Sequence, residues 1–76
     1  MPMEIVPGIT AESTVMFGKP VIAGTRIPAA VILAQLGAGV SESEIVLEYD
    51  LTPDQIRAAV RYGAWLAEQD EARAVG

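Results

Sequence analysis

The sequence predicts a mainly α domain with a short N-terminal β element, in which a β-hairpin precedes three helices in a helix-turn-helix arrangement. Residues 1–28 contain four of the five prolines and three of the seven glycines, and this composition favours short strands and turns. The second half contains two helix starts eleven residues apart, one at Ser41 and one at Thr52. Each has a glutamate or glutamine three residues later, the pattern of a capping box.

Length and composition indicate one domain over residues 1–76 that gains its stability from apolar packing or from association. The chain has no cysteine and no histidine, so disulfides and the commonest metal ligands are excluded. Its hydrophobic content of 51% is high for a 76-residue chain. A domain of this size exposes much of its surface, so some of these apolar residues should lie at an interface. We therefore expect self-association as a homodimer or higher oligomer, through the N-terminal element and the first helix.

The net charge of −5 argues against general affinity for nucleic acid, which is typical of basic proteins. The N-terminal residues lack the cationic start and apolar stretch of a signal peptide. The most apolar window, residues 27–36, is far shorter than the roughly 20 residues that span a bilayer. The sequence thus predicts a cytoplasmic protein without a membrane partner.

Within the N-terminal arm, residues 4–6, 14–17 and 20–23 form the short β-branched or apolar runs expected of strands. Val21 and Ile22 are followed by a bend at Gly24, which suggests a small hairpin. A lone hairpin is marginally stable in water, so it should lie against the helices or against a second chain.

The helical unit is expected over residues 29–69. Pro28 opens the first helix, and Gly39 is its best left-handed cap. In the third helix Thr52 is the N-cap and Pro53 the first residue, and the helix runs to about Gln69. We expect the tail over residues 70–76 to be frayed.

A helix-turn-helix pattern spans the second and third helices. Five anchor positions are apolar or aromatic, as packing across a turn of three to four residues requires: Ile45, Tyr49, Leu51, Ile56 and Ala59. Asp50 stands where a turn glycine is usual, and aspartate tolerates the left-handed conformation better than most residues. An ordinary three-helix bundle without a role in DNA binding obeys the same packing rules.

Helical spacing divides the third helix into two faces. The predicted core face consists of Ile56, Ala59, Val60, Gly63 and Ala67, and the opposite face of Arg57, Ala58, Arg61, Ala64 and Trp65. Three interpretations of the outer face stay open. Arg57 and Arg61 contact DNA, with Thr52 and Gln55 reading bases; Arg61 and Trp65 form a protein-interface hot spot; or Arg61 stacks on Trp65 at a solvated surface.

Arg26 precedes the first helix and has two predicted roles. It pairs with Glu44 or Glu48, or it contacts a partner chain. Catalysis is not expected, because histidine and cysteine are absent and Lys19, the one lysine, lies in a turn. The carboxylates near helix starts are explained by the helix dipole. A metal site of Glu44, Glu48 and Asp50 is disfavoured, so we predict no enzyme activity, cofactor or metal.

The run GKPVIAGTRIP, then a helix, then GVSESEIVLEYDLTPDQIRAAVRYGAWL resembles the family known as domain of unknown function 433 (DUF433), over about residues 9–67. The family's GTRIP element corresponds to residues 24–28, and the family often has a glycine or polar residue where Phe17 stands. The resemblance implies a homeodomain-like helix-turn-helix fold and a VapB-type antitoxin. Genes of the family commonly neighbour one for a PIN-like protein, a presumed metal-dependent ribonuclease.

The resemblance therefore implies a type II antitoxin that binds and neutralises a PIN-like toxin and represses their shared operon by binding operator DNA. The alternative is a protein-interaction or oligomerisation module with no DNA role. Because a PIN-like active site is a cluster of carboxylates around a metal ion, the inserted group should be cationic or apolar. Of the candidates Arg26, Arg57, Arg61 and Arg73, the sequence favours Arg61 together with Trp65 for docking.

Overall fold

A computed structural model describes the backbone of residues 1–75 and the side chains of residues 1–70. Three strands precede three helices: β1 (Met3–Val6), β2 (Ile9–Ala11), β3 (Val21–Ile22), α1 (Ala29–Gly37), α2 (Glu42–Tyr49) and α3 (Pro53–Val75). The predicted fold class, mainly α with an N-terminal β element, is confirmed.

The β element is a three-stranded antiparallel sheet in the order β1-β2-β3, one strand more than the predicted hairpin. Pro7 and Gly8 connect β1 to β2, and Ile9 pairs with Val6 on one side and Ile22 on the other. Beyond β3 the chain turns back as predicted at Gly24, since Ile22 N–H donates to the Ile27 carbonyl at 3.0 Å.

Residues 14–17 do not form the strand that their composition predicted. Val15 makes only an isolated bridge to Glu12, and a 3-10 turn covers Met16–Gly18. Met16 and Phe17 have φ values of 49° and 59°, which no strand accommodates. The connection between β2 and β3 is therefore a compact loop.

The sheet packs directly against α3 through the Pro7–Gly8 turn. A Cβ atom on Gly8 would lie 2.7 Å from Cβ of Ala58, and Gly8 has a φ of +89°. Arg61 Nη1 donates to the Pro7 carbonyl at 2.7 Å. These contacts correct the predicted faces of α3: Ala58, expected to be outside, is buried beneath the turn, whereas Val60, expected in the core, is 46% exposed.

The helix starts and the anchor positions follow the sequence prediction. The Ser41 hydroxyl accepts a hydrogen bond from Glu44 N–H at 3.2 Å, but the reciprocal bond of the predicted capping box, from Ser41 N–H to the Glu44 carboxylate, does not form. Asp50 adopts the left-handed conformation (φ 55°, ψ 48°) at the end of α2. Residues 50–52 connect α2 to α3. Four of the five anchors are buried in the core, and Tyr49 packs at its edge. The buried anchors are Ile45, Leu51, Ile56 and Ala59. The helix starts and the turn could be predicted from the sequence because a cap or turn is determined by residues three or four positions apart.

The third helix continues past its predicted end at Gln69 to Val75. Gly63 marks the end of the packed part, because the Leu33 side chain lies against it and residues 64–70 are all exposed. The fraying expected of residues 70–76 stays a prediction, and Gly76 lies outside the described residues. Within the described part, no helix combines the length and apolar character needed to cross a membrane.

Candidate protein-interaction surfaces

The N-terminus of α3 uses its two candidate base-reading side chains for capping. Thr52 N–H donates to Gln55 Oε1 at 2.8 Å, and Gln55 N–H donates to Thr52 Oγ1 at 3.2 Å. This reciprocal arrangement satisfies backbone groups that the helix leaves without partners. These bonds use the acceptor oxygens of both side chains and hold them at the helix start, so only the Gln55 side-chain N–H groups and the Thr52 hydroxyl hydrogen remain as donors to DNA.

The two candidate phosphate-binding arginines also have partners within the chain. Arg57 Nη1 lies 3.0 Å from Asp54 Oδ1, and Arg61 Nη1 donates to the Pro7 carbonyl. Residues 42–54, which form α2 and the start of α3, contain five carboxylates and no cation, and Glu42 and Asp54 among them lie beside Arg57. Because DNA binding relies on neutralising phosphates, this electrostatic environment favours a protein partner over DNA at this surface.

Trp65 belongs to an apolar stripe on α3 that begins at Tyr62, which packs at the edge of the core, and continues past Gly63. Tyr62, Trp65 and Leu66 lie at helical spacing i, i+3 and i+4, and the rings of Tyr62 and Trp65 stack with centroids 6.1 Å apart. Trp65 remains 38% exposed and Leu66 41%. We call these three residues the α3 stripe. The predicted stacking partner of Trp65 was Arg61, which instead holds the Pro7–Gly8 turn.

Arg26 lies in the arm and does not pair with Glu44 or Glu48 as predicted. Among residues 1–70, the one ion pair is Arg57–Asp54. Arg26 lines a cleft of about 510 Å³ together with Ser13, Thr14, Met16 and Phe17. A second cleft of about 610 Å³ places it with Glu12 and Thr25. The structure thus places Arg26 next to the loop between β2 and β3.

Sequence reasoning missed Phe17. Its side chain is 96% exposed, and its backbone is in the left-handed region, a conformation that costs a residue other than glycine about 1–2 kcal/mol. The turn is held by hydrogen bonds from Gly18 N–H to the Val15 carbonyl and from Lys19 N–H to the Met16 carbonyl. Backbone strain of this kind concentrates at binding surfaces. The available signal was a phenylalanine where the resembling family often has glycine.

Glycine at this position should stabilise the fold. We expect Phe17→Gly to have a free energy of unfolding about 1 kcal/mol higher than Phe17→Ala, because alanine retains the left-handed strain and glycine removes it. Urea titration of the two variants measures this difference without a contribution from the exposed ring. Equal stabilities would mean that Phe17 does not hold a positive φ in solution.

Leu47 is a second apolar side chain that sequence reasoning did not single out. It is 84% exposed and borders a groove of about 490 Å³ between α2 and the start of α3, lined also by Glu42, Ser43, Val46 and Pro53. The buried face of α2 is centred on Ile45. Leu47, two residues on, points away from the core because successive positions are about 100° apart on a helix.

Comparison with known proteins gives one match. The family model described as "Protein of unknown function (DUF433)" matches residues 9–63, from β2 to the last packed residue of α3. The chain belongs to the DUF433 family. In this DUF433 protein the Phe17 loop, Arg26 and Leu47 lie inside the matched segment, and Trp65 and Leu66 lie just after it. No curated protein and no solved structure matches the chain.

Over residues 1–70, the carboxylates of the DUF433 protein do not converge on any one point as metal ligands do. In the part of the chain that the structure describes, no three acidic side chains come together in a group that could hold a metal ion. The prominent surface groups of residues 1–70 are instead exposed apolar and aromatic side chains, together with the cations beside Phe17.

Proposed function

We propose that this DUF433 protein is an antitoxin-like partner of a PIN-like ribonuclease and that it binds this toxin through the α3 stripe. The observation that carries the proposal is the position of Trp65 and Leu66, which lie side by side on α3 just beyond Gly63, where no element of residues 1–70 buries them. Family membership supports the choice of partner, because the antitoxin role is what the family resemblance implies.

The chemistry of the α3 stripe suits a protein partner. Tryptophan and tyrosine are enriched among the residues that contribute most to binding between proteins, because a large rigid ring buries much area at little entropic cost. The Tyr62 contact already restricts the Trp65 ring, which lowers the entropy lost on binding. Arg61 precedes Trp65 by one helical turn and is bonded to the Pro7 carbonyl, so it fixes the arm to α3 and its contribution to binding would be indirect.

Co-expression with the product of the neighbouring gene tests the proposal. We expect affinity capture of this chain to recover the PIN-like protein, light scattering to give a complex of defined mass, and ribonuclease activity to be lower in the complex than in the free partner. A chain that is recovered alone, beside a well-folded and active nuclease, would refute the antitoxin function. It would leave an oligomerisation module as the alternative.

Operator binding through α3 is the secondary function that the family implies, and it should be weak for this chain alone. We expect any gel shift with the DNA upstream of its own gene to be weak at about 50 mM salt and absent at about 200 mM. Few phosphate contacts beside five carboxylates give little affinity at the start, and salt weakens the contacts that do form. Adding the nuclease partner would supply further contacts. A sequence-specific shift by the chain alone at about 200 mM salt would contradict this expectation.

A further inference from the structure

Two exposed apolar side chains on opposite parts of the chain have surroundings of opposite charge. Phe17 lies in the arm with the cations Lys19 and Arg26 nearby and one carboxylate, Glu12, in a cleft with Arg26, so this region carries a net positive charge; Leu47 lies on α2 among acidic residues. They are 96% and 84% exposed, the highest values among the large apolar residues after Met1. Neither side chain contributes to the core or to the α3 stripe.

The cations beside Phe17 are available for contact with another chain. Lys19 follows Phe17 by two residues, and Arg26 shares a cleft with Met16 and Phe17. Within residues 1–70 neither cation forms an ion pair, whereas Arg57 is paired with Asp54 and Arg61 is bonded to the Pro7 carbonyl. We call Phe17, Lys19 and Arg26 the arm patch.

The surface around Leu47 has the complementary properties. Its groove is lined mainly by apolar atoms of Val46, Leu47 and Pro53. Four carboxylates surround it in the sequence and carry no ion pair within residues 1–70: Glu42, Glu44, Glu48 and Asp50. We call this surface the α2 patch.

We propose that the arm patch of one copy binds the α2 patch of a second copy, with Phe17 in the groove and Lys19 and Arg26 facing the carboxylates. The two patches are complementary in shape, an exposed ring against an apolar groove, and in charge. A symmetric contact is disfavoured, because two arm patches would bring cations together and two α2 patches would bring eight carboxylates together. Unlike patches therefore meet head-to-tail, and the angle between them sets whether two copies close into a reciprocal twofold dimer or further copies add to a ring or an open chain.

This interaction is separate from the proposed toxin surface and requires no second protein, so the failure of one proposal leaves the other standing. The backbone strain at Phe17 is consistent with it, since the loop holds an aromatic ring outward at a position that glycine would occupy without strain. Raised salt should weaken the association, because the charges involved are exposed and screened by ions.

Complementation between two variants tests the head-to-tail arrangement. Phe17→Ser damages only the arm patch and Leu47→Ser only the α2 patch, and both positions are exposed, so circular dichroism should show native folding. By sedimentation velocity we expect the unmodified chain to associate with increasing concentration. Each variant alone should be monomeric, with its association constant reduced about tenfold or more. An equimolar mixture should form a two-chain complex, because each variant retains one intact patch.

Three results would overturn the proposal: an unmodified chain that stays monomeric up to millimolar concentration, single variants that associate as the unmodified chain does, or a mixture that remains monomeric. A charge exchange provides an independent check. Arg26→Glu and Glu48→Arg should each weaken association, and the chain carrying both changes should recover part of it. No recovery, together with unchanged association of the single variants, would show that the charges do not face each other.

Discussion

Replacing Gly8 with alanine is expected to lower the free energy of unfolding by about 3 kcal/mol, a large fraction of the stability of so small a domain. Two effects add. Gly8 has a φ of +89°, where an L side chain costs about 1–2 kcal/mol. The new methyl group would also lie 2.7 Å from Cβ of Ala58, so the sheet and α3 would have to move apart, at a cost of about 1–3 kcal/mol.

Gly24→Ala is the matched control for this prediction. Gly24 has a similar φ of +78°, but a Cβ there would meet no atom within 4 Å. It should therefore show the backbone cost alone, about 1–2 kcal/mol. Urea unfolding of both variants gives the difference, provided that the slopes with denaturant agree. Equal losses would mean that the arm does not pack on α3 at this point in solution.

The contact between Gly8 and Ala58 is a feature that could not be predicted from the sequence. Periodicity placed Ala58 outside because it recognises one buried face on a helix. The third helix has two, since Leu33 of α1 packs on Gly63 and the Pro7–Gly8 turn packs on Ala58. The residues are about fifty positions apart in the chain, and no local pattern indicates which helix face a distant turn will cover.

Features that depend on a few neighbouring residues were predicted well. Both capped helix starts, the left-handed Asp50 and the bend at Gly24 involve contacts within about four residues, where the chemistry of a cap or turn decides the conformation. The loop at Met16 and Phe17 was not, because its left-handed backbone contradicts the preferences of those residues. Such a conformation persists only where the surrounding structure holds it.

The candidate interaction residues divide in the same way. Trp65 could be predicted as exposed, because a single large aromatic residue stood outside the apolar spacing of its helix. Leu47 and Phe17 could not, since an isolated apolar residue in a sequence is usually assigned to the core. Phe17 and Leu47 are candidates for binding only because they are exposed, and their exposure depends on how all the other elements pack.

Trp65→Ala is expected to reduce the affinity for the PIN-like partner about thirtyfold or more, the effect of losing an interface hot spot of about 2 kcal/mol. The fold should tolerate the change, because Trp65 contacts Tyr62 outside the core and lies beyond the last packed residue of α3. Isothermal titration of purified partner with each variant measures the effect, and circular dichroism checks the helix.

Val60→Ala is the matched control for Trp65. Val60 is on the same helix and 46% exposed, but its position five residues earlier places it about 140° around the helix from Trp65. If α3 binds the partner through the stripe, Val60→Ala leaves the affinity within about twofold, since surface changes away from the contact have small effects. Equal losses at the two positions would indicate a general weakening of the helix, and an unchanged affinity for Trp65→Ala would place the toxin on another surface.

Arg61→Ala should lower the free energy of unfolding by more than it lowers the free energy of binding, because Arg61 is bonded to the Pro7 carbonyl. This difference separates Arg61, which supports the surface, from Trp65, which forms it.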